Sequence, residues 1–545
     1  MDIILNNLGI IGAILFVIWL IPMYWTSRYT LHMMQLEGYR NNQYKRWLKE
    51  SGKNVFSNKV RNSAIALFLL EIIVILIDSK ILLLPMILLF LLFCFLLVED
   101  FKSKNAKKDL VFTKRAKRLF IAIIAINLII MLIYGLVVIN FSDRPFDLIL
   151  IGSLLIIYGI PQTIILANLL VLPIEKRINK YYYDMAYNKV RNFENMNIVG
   201  ITGSFGKTST KFITAEILRH KYNVLNTPES YNTPMGISKV INNTLDDSYE
   251  AFVVEMGARN IGDIDELAKL VGPKIGVLTS IGPTHLETFK NIENIMKTKY
   301  ELIENLPADG IAIFNYDNKY VRKLADKTFK EKILYGIKDH EYLDIYAKDI
   351  EVNEGGSTFI LSDKEGNSVK CSSKLLGKHN ISNILAGVAV ANAMGMNLDD
   401  ISKGISKVEP IPHRLQLINP GTGVIIIDDA FNSNPVGAKA ALEVLNQFKE
   451  GRKVIVTPGM VELGDREEEE NKEFGKNISK VCDFVILVGE KRTRPIYQGL
   501  VEQKFNKDNI FVVKTLDEST GVIQSLVKEK DVVLFENDLP DNYNE

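Results

Sequence analysis

The stretch GITGSFGKTST, Gly200–Thr210, decides how the chain reads. NIVGI, Asn197–Ile201, is a short β-rich run that leads into it, and TKFITAEILRH, Thr210–His220, continues from its end with helical spacing. A strand, a glycine-bearing turn and a helix in that order make a loop for the phosphates of a nucleotide. Gly203 and Gly206 let the backbone approach phosphate oxygens, and N–H groups at the helix start bind anions. Ser204 and Ser209 belong to the same cradle. Lys207 supplies a point charge to the β- and γ-phosphates, and Thr208 a hydroxyl for Mg2+. The spacing departs from the standard phosphate loop, because Gly200 comes one residue too early; TGSxGKT describes it better.

Downstream, the same alternation recurs. AFVVEMG, IGVLTSI, GIAIFNY, GVIIIDDA, KVIVTPG and DFVILVG are short apolar runs, each followed by turn or helical signals. That grammar predicts doubly wound α/β domains. Between Tyr342 and Lys370 it gives way to short strands around an EGGS turn, which predicts an antiparallel insertion.

Upstream, the composition is different. Leu8–Trp25, Ala64–Ile77, Ile81–Val98, Leu119–Ile139 and Leu148–Leu172 are apolar runs, most of them near or above the ~18–20 residues that cross a bilayer. The second is the weakest, since Glu71 interrupts it. Basic residues crowd two of the connections, Arg28–Arg61 and Lys102–Arg118, while Asp78–Lys80 and Phe141–Phe146 carry few. By the positive-inside bias the N-terminus is outside, and five crossings bring the chain to the cytoplasm at Glu175-Lys176-Arg177. The expectation is a multi-pass protein of the cell membrane, in contact with its lipids, with its catalytic part cytoplasmic. Ile178–Phe193, with four tyrosines among basic residues, reads as a helix at the membrane interface. Glu71 is an intramembrane carboxylate with no obvious partner. The formal net charge of +1 gives no argument for nucleic acid as a partner, and none is expected. Cys94, Cys371 and Cys482 form no CxxC pair and read as small apolar fillers.

With TGSFGKTST stand NTPMGIS, VVEMGARNIGDI, TSIGPTHLETF, KTKYEL, GKHNISNILAGVAVA, DDAFNSNP and ELGD, in that order. Together they resemble the Mur ligase superfamily, which forms amide bonds with ATP, and most of all its D-alanyl-D-alanine-adding branch in peptidoglycan precursor synthesis. The resemblance covers about Asn197 to the C-terminus. It implies a central P-loop ATPase-like domain over 194–410 and a Rossmann-like C-terminal domain over 411–545. These follow a transmembrane domain over 1–173 and a juxtamembrane helix over 174–193.

The resemblance also assigns roles. A carboxylate attacks the γ-phosphorus of ATP to give an acyl phosphate, which an amine then attacks. Glu255 and His285 match magnesium ligands, and Lys299 the lysine that the family carbamylates; Lys297, two residues away, leaves that register open. Asn380 and Asn383 match residues near the adenine, and Arg414 one that reaches the γ-phosphate. The family has glycine where His413 stands. Asp429 and Asn432 fall at the ATP-facing loop, and Asn232 and Thr233 border the acceptor site; Asp317 is assigned to the nucleotide site. Implied are the cofactors ATP and Mg2+, an acceptor carboxylate on a small or lipid-linked cell-wall precursor, and an amino acid or dipeptide amine. Membrane spans stand where soluble relatives hold a UDP-sugar, which points to an acceptor at the membrane. A membrane-tethered polymer-forming ligase, such as a poly-γ-glutamate synthase, is one alternative, and a nucleotide-driven transporter or assembly factor another.

Overall fold

The computed structural model describes residues 8–51, 55–77, 82–104, 109–284, 286–353, 355–431, 433–461 and 463–538. His285 and Asn432 lie outside the described residues. The chain divides into two compact units, one over 1–179 and one over 180–540.

The first unit is helical. α1 (Leu8–Leu36), α2 (Asn41–Ser51), α3 (Asn58–Ile77), α4 (Leu83–Ser103), α5 (Lys114–Phe141) and α6 (Pro145–Arg191) follow one another. Four of these, α1, α4, α5 and α6, are long and apolar enough to cross a membrane. The second apolar run lies in α3, which is 20 residues long and also carries Lys59, Arg61 and Glu71. Many of the large apolar side chains on these helices, such as Ile121, Leu132 and Leu169, are exposed. Helices apolar on the outward face as well as the inward one suit a lipid surrounding. Glu71 is fully buried, and neither carboxylate oxygen has a hydrogen-bond partner.

The change of composition at Pro173 is not a break in secondary structure. α6 is one helix of 47 residues with Pro161 and Pro173 inside it. The segment expected to be a separate interfacial helix is its C-terminal end. From Lys180 onward that end belongs to the second unit: Ala186 and Val190 are buried in its core, and Tyr183 Oη donates to the Glu266 carbonyl. Tyr181, Tyr182 and Tyr187 remain exposed.

The second unit opens with β1 (Asn197–Thr202), α7 (Lys207–Leu218), β2 (Val224–Asn226), α8 (Pro234–Asn243), β3 (Ala251–Glu255), α9 (Asp263–Val271) and β4 (Ile275–Leu278). Then come α10 (Ile292–Glu304), β5 (Ile311–Asn315), α11 (Lys319–Asp326), β6 (Lys332–Gly336), β7 (Ile345–Asn353), β8 (Gly356–Asp363), β9 (Ser368–Ser373), α12 (Lys378–Ala393) and α13 (Leu398–Ser406). The sheet order is β2-β3-β1-β4-β5-β6-β7-β8-β9, parallel through β7 and antiparallel across β7, β8 and β9. The antiparallel strands expected after Tyr342 therefore extend the parallel sheet at its edge. β1 and β3 are buried on both faces, as parallel strands covered by helices are. Apolar clusters fill both sides, one beneath α7 and α12 and one beneath α8, α9 and α10.

The C-terminal part holds β10 (Gln416–Ile418), β11 (Ile425–Asp429), α14 (Pro435–Leu445), β12 (Lys453–Thr457), α15 (Glu467–Ile478), β13 (Phe484–Val488), α16 (Glu490–Glu502), β14 (Ile510–Val513), α17 (Leu516–Leu526) and β15 (Val532–Glu536). Its six strands run β10-β11-β15-β12-β13-β14, all parallel except β10 against β11. Both α/β domains expected from the alternating runs are present.

Candidate nucleotide and acceptor site

In the nine-stranded sheet β1 lies between β3 and β4, so the strand order reverses there. Such a switch point opens a crevice beyond the carboxyl ends of the strands. Three loops meet in it, after β1, β3 and β4. The β1 and β4 loops are interlocked: Ser204 N–H donates to the Ser280 carbonyl (2.6 Å), Ser204 Oγ to the Gly282 carbonyl (2.9 Å), and Thr279 Oγ1 to the Phe205 carbonyl (2.6 Å). A Cβ at Gly203 would stand 2.1 Å from Thr279 Oγ1, so only glycine permits this approach. Gly206, at φ 79°, begins α7 without a side-chain cap. The helix N-terminus thus presents N–H groups that no side chain of its own cap residue occupies, the arrangement that suits a phosphate. Thr208 is half-buried in the first turn and Ser209 is buried.

Basic groups crowd this crevice. Lys207 Nζ donates to the Ser204 carbonyl at 3.0 Å. Burial holds its ammonium below the usual lysine range, with the charge of Arg414 adding to the effect and Glu255 opposing it. Lys299, on α10, is buried, and burial followed by the charge of Lys207 pushes its pKa well down. Lys297 is exposed, which separates the two lysines that spacing alone leaves open. Lys211, one helical turn beyond Lys207, is fully buried and reaches Glu255 Oε2 at 3.4 Å.

Glu255 ends β3 and pairs in register with Ile201 of β1. Its Oε1 accepts from Asn232 Nδ2 at 3.0 Å. Asn232 therefore holds a carboxylate, and Thr233 accepts from Gly236 N–H as the N-cap of α8. Both residues read as acceptor contacts in the sequence have these local duties as well. Magnesium takes oxygen ligands, commonly one or two carboxylates together with substrate phosphates. The buried Glu255 carboxylate and the Thr208 hydroxyl, both at the phosphate loop, are donors of that kind, so the residues present fit the ion.

Asn383 lies against the phosphate loop. A Cβ at Gly206 would come within 2.7 Å of its Oδ1, which also accepts from Thr210 Oγ1 at 3.2 Å. Asn383 Nδ2 donates to Asn380 Oδ1, and Asn380 Nδ2 to the Leu376 carbonyl. Both asparagines are thus engaged within the chain. Asp317 sits after β5, where its carboxylate accepts from the N–H groups of Ile337 and Lys338. Burial raises its pKa against those two donors.

The C-terminal domain adds Arg414 and Asp429. The Arg414 guanidinium lies over the Phe431 ring, 4.1 Å from its centre, and burial lowers its pKa while Asp429 and Glu255 oppose that. Asp429 accepts from Leu415 N–H at 3.1 Å. Burial, and then the charge of Glu536, raise Asp429 to about 7. His413, which stands where the family has glycine, adopts φ 58° and contacts Asp428 Oδ2 through Nδ1 at 2.8 Å. The glycine-like backbone is kept, at the strain a side chain brings to that region.

The structure thus gathers Lys207, Thr208, Glu255, Lys299 and Arg414 at one crevice. Lys211 was missed. Its signal was a lysine one turn from Lys207, on the same face of the helix that opens at the glycine-rich turn.

Residues 201–391 match the Mur ligase middle domain, and 413–536 the Mur ligase glutamate ligase domain. The UDP-N-acetylmuramoyl-tripeptide–D-alanyl-D-alanine ligase of Bacillus subtilis is 31% identical over 340 residues, covering 62% of this chain and 72% of that protein. The MurF ligase of Thermotoga maritima, solved with ADP, superposes with a TM-score of 0.60 at 29% identity, covering 67% of this chain and 81% of its own. MurF from Acinetobacter baumannii does so with a TM-score of 0.59 at 26% identity, covering 66% and 77%.

Proposed function

Because the chain belongs to the Mur ligase family and is an ATP-dependent, ADP-forming ligase, we propose that it joins a cell-wall precursor carboxylate to the amine of an amino acid or dipeptide at the membrane. The observation that carries this reading is the convergence of Lys207, Lys211, Lys299 and Arg414 around the Glu255 carboxylate. These groups come from α7, α10, the start of the C-terminal domain and β3. A crevice so rich in cations suits a polyphosphate, and charge that builds during phosphoryl transfer is met by groups already fixed in place.

In this reading Lys207 and Arg414 hold the transferring phosphoryl group, with the N–H groups at the start of α7. Glu255, Thr208, His285 and Lys299, once carbamylated, would hold magnesium, which would neutralise phosphate charge when bound. A buried, neutral lysine amine is the form that adds to carbon dioxide, and the surroundings of Lys299 favour it. Asn380, Asn383, Asp317 and Asp429 would serve the nucleotide, as would Asn432 by the sequence resemblance alone. Asn232 and Thr233 begin the acceptor side. Domain limits near 173, 193 and 410 follow from the same reading.

In this reading the apolar helices of 1–173 cross the membrane and hold the chemistry there, with the ligase domains in the cytoplasm; four helices long and apolar enough to cross a membrane support it. Relatives named for UDP-N-acetylmuramoyl-tripeptide and D-alanyl-D-alanine suggest the closest substrates to try. The test is a product assay in which the full chain receives ATP, D-alanyl-D-alanine and the muramoyl tripeptide, linked either to UDP or to a lipid carrier. One defined addition on the lipid-linked acceptor supports the proposal. Preference for the UDP-linked acceptor makes the helices an anchor alone, and a ladder of products from single amino acids favours the polymer-forming alternative.

A further inference from the structure

Lys211 is fully buried, and it makes two contacts whose joint meaning goes beyond the phosphate loop. Its ammonium donates to the backbone carbonyl of Glu229 and lies 3.4 Å from Glu255 Oε2. Glu229 stands in the short loop between β2 and α8, where its own φ is 40°. Asn232, from the same loop, donates to the other carboxylate oxygen of Glu255. The loop is tied to β3 at two further points. Thr227 N–H donates to the Val253 carbonyl, and Gly257 N–H to the Asn232 carbonyl. A Cβ at Gly257 would stand 2.8 Å from the Asn232 side chain, so the glycine leaves room for the amide that holds Glu255.

A buried carboxylate needs a counter-charge or donors, because leaving it unpaired is costly. Lys211 and Asn232 together meet that need at Glu255, one per oxygen. Lys211 stands where a divalent cation serving Glu255 would also have to act, and two cations on one carboxylate repel each other. A neighbouring charge at this range alters an ion-binding equilibrium by about tenfold or more.

We infer that Lys211 is a positioning residue, an internal cation that holds Glu255 and the loop over 227–233 together until a divalent ion arrives with its nucleotide. The inference rests on the reading of Glu255 as a metal ligand. Free metal is disfavoured by Lys211, whereas metal carried by a nucleotide brings phosphate charge that offsets the lysine. When Glu255 turns to the ion, Lys211 is released from the carboxylate and its hold on Glu229 changes. The state of the nucleotide site is thereby passed to the loop that begins the acceptor side.

The test uses the full chain in lipid nanodiscs with Mn2+ as the probe, read by electron paramagnetic resonance, and hydrogen exchange of residues 227–233. In wild type, Mn2+ alone binds weakly, and Mn2+ with ADP binds well and changes exchange in that loop. Lys211→Met should bind Mn2+ alone about tenfold more tightly and lose the ADP-dependent change in the loop. Lys211→Gln keeps a donor for the Glu229 carbonyl without the charge, so it should gain metal affinity while protecting the loop better than Lys211→Met. Lys211→Arg should stay close to wild type. Unchanged affinity for Mn2+ alone in both neutral variants, with correct folding shown by ADP binding, overturns the inference. Glu255→Gln separates the two readings: wild-type Mn2+ binding in that variant would instead remove Glu255 from the metal site.

Discussion

Lys207, at the start of α7, and Lys299, on α10, are near enough that the charge of the first disfavours the charge of the second. Burial acts in the same direction and is the larger cause. Both causes favour the neutral amine at Lys299. Lys299→Ala is expected to be nearly inactive and partly restored by a short-chain carboxylic acid that occupies the vacated volume. Lys297→Ala, altering an exposed side chain, should keep most activity. Steady-state ADP release with and without added acid decides it; full activity in Lys299→Ala would remove the residue from the site.

Gly206→Ala should damage nucleotide binding more than folding. The new methyl group meets Asn383 Oδ1 at 2.7 Å and the backbone stays at φ 79°, a region that alanine disfavours. ADP affinity measured by calorimetry should fall at least about tenfold, since displacement of the loop by a fraction of an ångström moves every phosphate-facing N–H group. Unchanged affinity would mean the phosphates do not lie at this turn.

How far the sequence discloses such a site depends on where the partners lie. The phosphate loop was legible because strand, turn and helix are contiguous, and the alternation of short apolar runs carried both α/β domains. Glu255 was legible as a strand-end carboxylate. Its pairing with Lys211 was not, because it exists only once β3 is placed beside β1, some fifty residues apart. Asn232 and Thr233 show the opposite difficulty. A polar side chain that orients a carboxylate or caps a helix looks the same in sequence as one that meets a substrate. Pro173 read as a boundary, yet α6 runs through it; a proline removes one intrahelical hydrogen bond, which a long packed helix tolerates.

The paired acids of the C-terminal domain set a pH dependence. Glu536 is raised from its ordinary 4.5 to about 7, chiefly by burial, although Ser433 and Thr457 donate to it. Between those values the folded domain holds protons that the unfolded chain has released, so stability falls as pH rises through this window. The loss from pH 5 to 8 should be on the order of 1–3 kcal/mol. Glu536→Gln keeps the side-chain shape and should flatten the dependence. Urea unfolding followed across this pH range checks it, and a slope of the opposite sign would contradict the account.

The basic connections and the acidic Asp143 should lie on opposite sides of the membrane. A cysteine placed at Asp143 should be labelled by an impermeant maleimide in intact cells, and one at Lys114 only after permeabilisation. Labelling of position 114 alone would invert the topology and separate the ligase domains from cytosolic ATP.

The central claim is that an acceptor carboxylate attacks ATP in the crevice built by Lys207, Glu255 and Lys299. Oxygen-isotope transfer tests it most directly. The muramoyl tripeptide, UDP-linked and lipid-linked in parallel, is supplied with ¹⁸O in its acceptor carboxylate, together with ATP, magnesium and D-alanyl-D-alanine. Passage through an acyl phosphate predicts that phosphate released with the product carries one ¹⁸O from that carboxylate, and that Lys207→Ala lowers its yield below about a tenth. Unlabelled phosphate released at the same rate with or without carboxylate and amine would contradict the ligase account and leave an ATPase that drives something else.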